Sequence, residues 1–176
     1  MILLIVKGYP GVGKSTLSKK FAKKHDFALL QQDHFWFGLN PFTMNLRSTR
    51  PIDRQIGFKN LLSTAKNYID AKKPILTEGA LLIDAPGEPP IIPSLIKLAD
   101  KHNYRIVIIT LQTKDNVRKN RQRKRGYVLR PHIDNRLKKS ATTQFADLAS
   151  TTLDTSKLSI KKSLEALENL VFPKQP

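Results

Sequence analysis

Residues Gly8-Tyr9-Pro10-Gly11-Val12-Gly13-Lys14-Ser15-Thr16 place three glycines, a lysine and two hydroxyls at a spacing suited to holding a polyphosphate. Glycines at 8, 11 and 13 let successive backbone N–H groups turn inward around an anion, which a Cβ would obstruct. A helix starting at the end of the loop points its partly positive end at the same anion. Lys14 then reaches the β- and γ-phosphates as a point charge, and the Ser15 hydroxyl suits Mg²⁺, a hard ion that prefers oxygen. The expected nucleotide-binding set is Gly8, Pro10, Gly11, Val12, Gly13, Lys14, Ser15 and Thr16, with ATP and Mg²⁺ as ligands. An ordinary Gly-rich turn would need neither the lysine nor the hydroxyl.

Further groups could act beside such a loop. Asp33 follows the apolar run Phe27-Ala28-Leu29-Leu30, and ligands of an open parallel sheet lie at the carboxyl ends of its strands. It is the expected catalytic and acceptor-binding carboxylate, orienting or accepting a hydroxyl proton; the competing role is a helix N-cap. Trp36, with Phe35 and Phe37, could wall an acceptor pocket, although packing is the more ordinary use of an aromatic. Arg47, Arg50 and Arg54 lie in a stretch with loop chemistry, 40–54, and Arg50 is carried forward as a candidate for an anionic acceptor.

Glu78 ends the run Pro74-Ile75-Leu76-Thr77 and is expected near Mg²⁺ or the acceptor. Asp84 competes for that role, because Asp84-Ala85-Pro86-Gly87 imitates the D-x-x-G of a GTPase switch. There is no N-K-x-D guanine signature, and Gly79 followed by a Pro-rich stretch suggests that the strand has already ended, so Glu78 is preferred. Finally, Arg118, Arg121 and Arg125 recur at i, i+3, i+7, which puts them on one helical face. Arg121 and Arg125 are expected to offset charge on a transferring phosphoryl group, and Arg118 to contact the nucleotide.

These groups need a scaffold. Apolar runs at 2–6, 27–30, 75–76, 106–111 and near 153 alternate with amphipathic segments, which predicts parallel strands with crossover helices in a three-layer α/β arrangement. Helices are expected over 52–72, through the basic block up to Gly126, over 132–149 and along the tail 160–171, with Ser156 or Ser159 as the last cap. The Pro-rich stretch 86–93 reads as a loop. The 176 residues suit one domain, 1–176, with a lid at about 113–131. The absence of cysteine excludes disulfides, thiolate metal sites and thiol nucleophiles, and fits a cytoplasmic protein. The N-terminal apolar run is too short for a membrane span. His25, His102 and His132 lack metal-ligand spacing and read as surface residues.

Net charge is +17, and residues 118–139 carry ten Lys or Arg against the single acid Asp134. That density suits a polyanionic partner: ATP, a phosphorylated acceptor, or nucleic acid. Elsewhere the positive charge reads as a solvated surface. The oligomeric state is left open.

With these pieces placed, the chain resembles the small P-loop kinases of the gluconate kinase, polynucleotide 5′-hydroxyl kinase and zeta-toxin type. The resemblance rests on the loop at 8–16, Asp33 after the second strand, the Arg121–Arg125 pair followed by Gly126, Gln144-Phe145-Ala146-Asp147-Leu148, and the closing Leu153-Asp154-Thr155-Ser156 turn. It implies a five-stranded parallel sheet in order 2-3-1-4-5, ATP with Mg²⁺, and an acceptor held between the lid and the 33–54 region. The acceptor region matches none of the sugar-acid, shikimate or adenylate patterns. The expected activity is therefore transfer of the γ-phosphoryl group to a hydroxyl or phosphate of a small molecule or nucleotide. The alternatives are a polynucleotide 5′-hydroxyl kinase and a nucleotide-dependent switch without an acceptor.

Overall fold

The computed structural model describes residues 1–37, 51–79, 91–124, 126 and 150–173. Five strands form one parallel sheet: β1 (Ile2–Gly8), β2 (Ala28–Gln31), β3 (Ile75–Glu78), β4 (Arg105–Gln112) and β5 (Thr151–Asp154). Their order is β2-β3-β1-β4-β5, the order that the resemblance to small P-loop kinases implies. β1 is central because it can be buried on both faces. Leu3 and Ile5 face one helical layer, and Leu4 and Val6 face the other.

The helices are α1 (Lys14–His25), α2 (Gln32–Phe37), α3 (Pro51–Asp70), α4 (Ile91–Asp100), α5 (Asp115–Lys124) and α6 (Ile160–Val171). On one face, Phe58, Leu61, Ala65 and Ile69 of α3 and Ile92, Leu95 and Ala99 of α4 cover Leu3, Ile5, Leu30 and Ile75. On the other, Leu17 and Phe21 of α1 and Leu167 and Val171 of α6 cover Leu4, Val6, Leu76 and Leu111. Fully burying a side chain such as Phe21 contributes about 1.5–3 kcal/mol. The Lys24–Glu168 ion pair at 2.7 Å, with an exposed lysine, contributes roughly 0.2–1 kcal/mol. Apolar burial therefore holds α1 to α6, and the ion pair only trims it.

Three sequence-based expectations change. The stretch 86–93 is not all loop: α4 begins at Ile91, and Pro93 fits because N–H groups of the first helical turn have no intrahelical partner. The loop expected over 40–54 ends sooner, since Pro51 opens α3 at a position where its fixed φ is an advantage. His25 is more than a surface residue: its Nε2 lies 2.9 Å from Glu168, and its ring packs 4.6 Å from Phe21 and 5.1 Å from Phe172. Of the two candidate caps, Ser159 is the one used, accepting from Lys162 N at 3.2 Å. Residues 132–149, with His132, lie outside the described set, and so do Asp84, Arg47, Arg50 and Arg125. No described helix is long and apolar enough to cross a membrane.

Candidate functional site

The site forms at the carboxyl ends of β1, β2 and β3. β1 runs into the glycine loop, and α1 starts at Lys14 directly after it. Gly13 sits at φ 107°, a left-handed conformation that residues with a Cβ rarely adopt and that turns the chain into the helix. The N–H groups of Gly11, Gly13, Lys14 and Ser15 donate to no described residue, so they are available to an anion. The loop is braced internally: Val12 N and Lys14 Nζ both donate to Tyr9 O, at 3.3 and 3.2 Å.

Lys14 is buried. Burial lowers its pKa, and the charges of Glu78 and Asp33 oppose that shift. Glu78 reaches this position because it is register-paired with Val6 of β1 and Gln31 of β2, at the end of the strand between them. It is 4% exposed and accepts from Gln31 Nε2 at 2.5 Å. Asp33 stands in the first turn of α2, two residues past the end of β2. Its surroundings raise its pKa, first by desolvation and then through the Glu78 charge, while Lys14 and His34 pull it down. The residue as a whole is open to solvent, which screens these charges. Lys14, Asp33 and Glu78 are thus brought within electrostatic reach of one another. Asp33 lies inside the helix turn and not at a cap.

Arg118 and Arg121 of the stripe do reach the loop, but what they grip there is protein. Arg118 is 3% exposed: Nε and Nη2 donate to Asp115 Oδ1 at 2.9 and 2.6 Å, and its guanidinium lies 4.7 Å from the Tyr9 ring centre. Arg121 Nη1 donates to Val12 O at 2.9 Å and to Thr155 Oγ1 at 3.2 Å, while Nη2 donates to Thr155 O at 3.1 Å. Thr155 had no role in the sequence reading beyond its place in the D-T-S turn. Its Oγ1 lies 3.3 Å from Val12 O and 3.2 Å from Gln112 O, which ties β4, β5 and the loop together. Two other buried residues were missed. Gln122 touches the loop, and Lys7, beside Thr110 in register, is a second buried lysine whose pKa burial lowers. The backbone of Trp36 lies in α2; its side chain is outside the described set.

A pocket of about 260 Å³ adjoins the loop at Gly13 and Thr16. Leu111, Leu158 and Ile160 give it apolar walls, and Arg121 and Thr155 give it polar ones. No three His, Cys, Asp or Glu side chains cluster into a metal cage among the described residues. That composition still fits Mg²⁺, which keeps several waters and needs only one or two protein oxygens beside phosphate. Ser15, exposed at the head of α1, offers a hydroxyl that no described residue holds, and the buried Glu78 carboxylate is close enough for its charge to act on Lys14, the residue before it.

An anion cradle at a strand–helix junction, faced by two strand-end acids, defines a P-loop protein. The chain belongs to the AAA domain family, whose model matches residues 3–139. No protein of curated function matches it by sequence. Among solved structures it is similar to a sugar kinase from Janibacter sp. HTCC2649, at 17% identity over 97% of this chain and 94% of that one, TM-score 0.68. A gluconokinase from Sinorhizobium meliloti 1021 gives 14%, 99%, 98% and 0.61. A Mycobacterium tuberculosis APS kinase, solved in complex with AMPPNP and APS, gives 16%, 97%, 96% and 0.59. Such identities establish the fold, that of the small P-loop kinases.

Proposed function

We propose that the protein is an ATP-dependent phosphotransferase that moves the γ-phosphoryl group to a hydroxyl of a small molecule or nucleotide. The observation that carries this reading is the convergence of Lys14, Asp33 and Glu78 at the mouth of an open anion cradle. A nucleotide switch needs the cradle; a second, partly desolvated carboxylate facing it suits an acceptor with a proton to lose. The similar APS kinase was solved with AMPPNP, which supports an adenine nucleotide as donor. The pocket at Thr16, Leu158 and Ile160 offers apolar walls for a base.

In this mechanism the loop amides and Lys14 hold the β- and γ-phosphates. Ser15, with Glu78 acting through a water, would hold Mg²⁺, whose charge offsets that of the phosphate oxygens. Asp33 orients the acceptor hydroxyl and takes its proton as the acceptor oxygen bonds to the γ-phosphorus. The bond from that phosphorus to the β–γ bridging oxygen breaks, and ADP leaves with the electron pair. Arg125, next in the stripe, would balance charge on the group in flight; Trp36 and Arg50 are the candidates to wall and bind the acceptor.

A screen of hydroxylated metabolites and nucleosides for acceptor-stimulated ADP release tests the reading. Lys19, Lys20, Lys23 and Lys24 are exposed along α1, so a single-stranded oligonucleotide with a 5′-hydroxyl belongs in the panel. With the acceptor found, Asp33→Asn should lose about 10²–10⁴-fold in transfer while keeping nucleotide affinity. ATP hydrolysis unaffected by every acceptor and by Asp33→Asn would favour the switch instead.

A further inference from the structure

A trans peptide unit is planar, and its C=O points opposite to the N–H that follows it. Whatever pulls a loop carbonyl outward therefore aims the next amide inward. Two loop carbonyls are held by adjacent residues of α5: Gln122 Nε2 donates to Pro10 O at 3.2 Å, and Arg121 Nη1 donates to Val12 O at 2.9 Å. The N–H groups that follow belong to Gly11 and Gly13, two of the amides that donate to no described residue.

Both gripping side chains are themselves fixed. Gln122 is 3% exposed, and its Oε1 accepts from Arg118 Nη1 at 3.3 Å, with Arg118 anchored in turn by Asp115. Arg121 is anchored by Thr155. The fit at Gly11 is close: a Cβ there would stand 2.9 Å from Gln122 Cγ and 3.1 Å from Arg118 Cγ.

We propose that Gln122 and Arg121 are positioning residues for nucleotide binding, a two-point clamp that turns the Gly11 and Gly13 amides toward the polyphosphate before it arrives. This rests on reading the loop as a triphosphate cradle. It gives Arg121 work distinct from balancing charge on the transferred group, and it gives Gln122 a role that no motif carries. The ordering entropy of the loop is spent on folding, which leaves more of the phosphate contact energy for affinity.

The test uses tripolyphosphate, which has neither base nor ribose and so reports on the loop without the adjoining pocket, alongside AMPPNP. Gln122→Met keeps volume against Gly11 and removes both hydrogen bonds. Gln122→Glu keeps the acceptor for Arg118 but cannot donate to Pro10 O. Each should bind both ligands about fivefold more weakly, equivalent to roughly 1 kcal/mol. KM for ATP should rise by a similar factor with kcat little changed. In the ligand-free protein, ¹⁵N order parameters of Gly11 and Gly13 should fall from the rigid value of about 0.85, while those of β1 hold. Wild-type tripolyphosphate affinity together with wild-type order parameters in either folded variant overturns the clamp. If the unmutated protein binds neither ligand, the cradle reading fails, and the order parameters still decide whether the clamp exists.

Discussion

On the nucleotide side of the site the chain works mostly with backbone; on the acceptor side it works with charge. The loop amides are set by glycine geometry and by side chains that hold carbonyls, and little there depends on pH or on any one neighbour's charge. Asp33 and Glu78, by contrast, are two acids facing one buried lysine, and Asp33 senses both of the other charges. The nucleotide side can therefore be finished before any ligand arrives, while the acceptor side is balanced electrostatically. Lys14 belongs to both, so its loss should have the largest effect. Lys14→Met should weaken nucleotide binding and lower kcat/KM by roughly 10²–10³-fold, since it removes a charge-assisted phosphate contact and leaves two acids without their counter-charge. Calorimetric titration with AMPPNP, run beside turnover, checks both parts. Unchanged affinity would break the comparison, by showing that Lys14 serves only the acids.

The same division explains what could be read from the sequence. The loop is legible because its requirements fall on residue type at fixed spacing: glycine where a Cβ would collide, then lysine and serine where the phosphates end. The strands were legible through apolar runs and their order through the resemblance alone, and Asp33 and Glu78 were singled out by their places after apolar runs. The clamp was not. Gln122 looks like any polar residue in a basic helix, and only the tertiary approach of α5 to Pro10 gives it a partner. The arginine spacing put Arg118 and Arg121 on one helical face, and both reach the loop, but spacing cannot say whether a guanidinium meets a phosphate or a carbonyl. α4 was hidden by Pro93, whose usual meaning is a helix break and whose position in a first turn is harmless.

Gly79 offers a way to disturb the acceptor side alone. A Cβ there would lie 2.6 Å from Gln32 Cβ, and Gln32 is fully buried, so its side chain has little room to yield. Gln32 opens α2 and precedes Asp33, which means that relief must come from shifting the start of that helix. Gly79→Ala should therefore reduce transfer by about tenfold or more through misplacement of Asp33, because small errors in geometry are costly in catalysis. AMPPNP affinity should stay within about twofold, as the loop on β1 is untouched. A loss of affinity equal to the loss of transfer would show that the two sides are mechanically one.

The smallest effect is the most specific to the charge balance. Desolvation and the Glu78 charge raise the Asp33 pKa, so transfer at saturating ATP should fall on acidification at a pH above the ordinary carboxylate range. Asp33→Asn should abolish that acid limb along with most of the rate. The sign for stability is opposite to that of a salt-bridged acid. A carboxyl whose folded pKa exceeds its unfolded one holds its proton longer in the native state, so the fold loses stability as pH rises between the two values. At neutral pH Asp33→Asn should accordingly unfold at an equal or slightly higher temperature than the unmutated protein, and the difference should vanish below both pKa values. Thermal unfolding across pH checks this. A variant markedly less stable at neutral pH would mean that Lys14 outweighs Glu78 and desolvation at Asp33, making the carboxylate a structural counter-ion and not a group held ready for a proton.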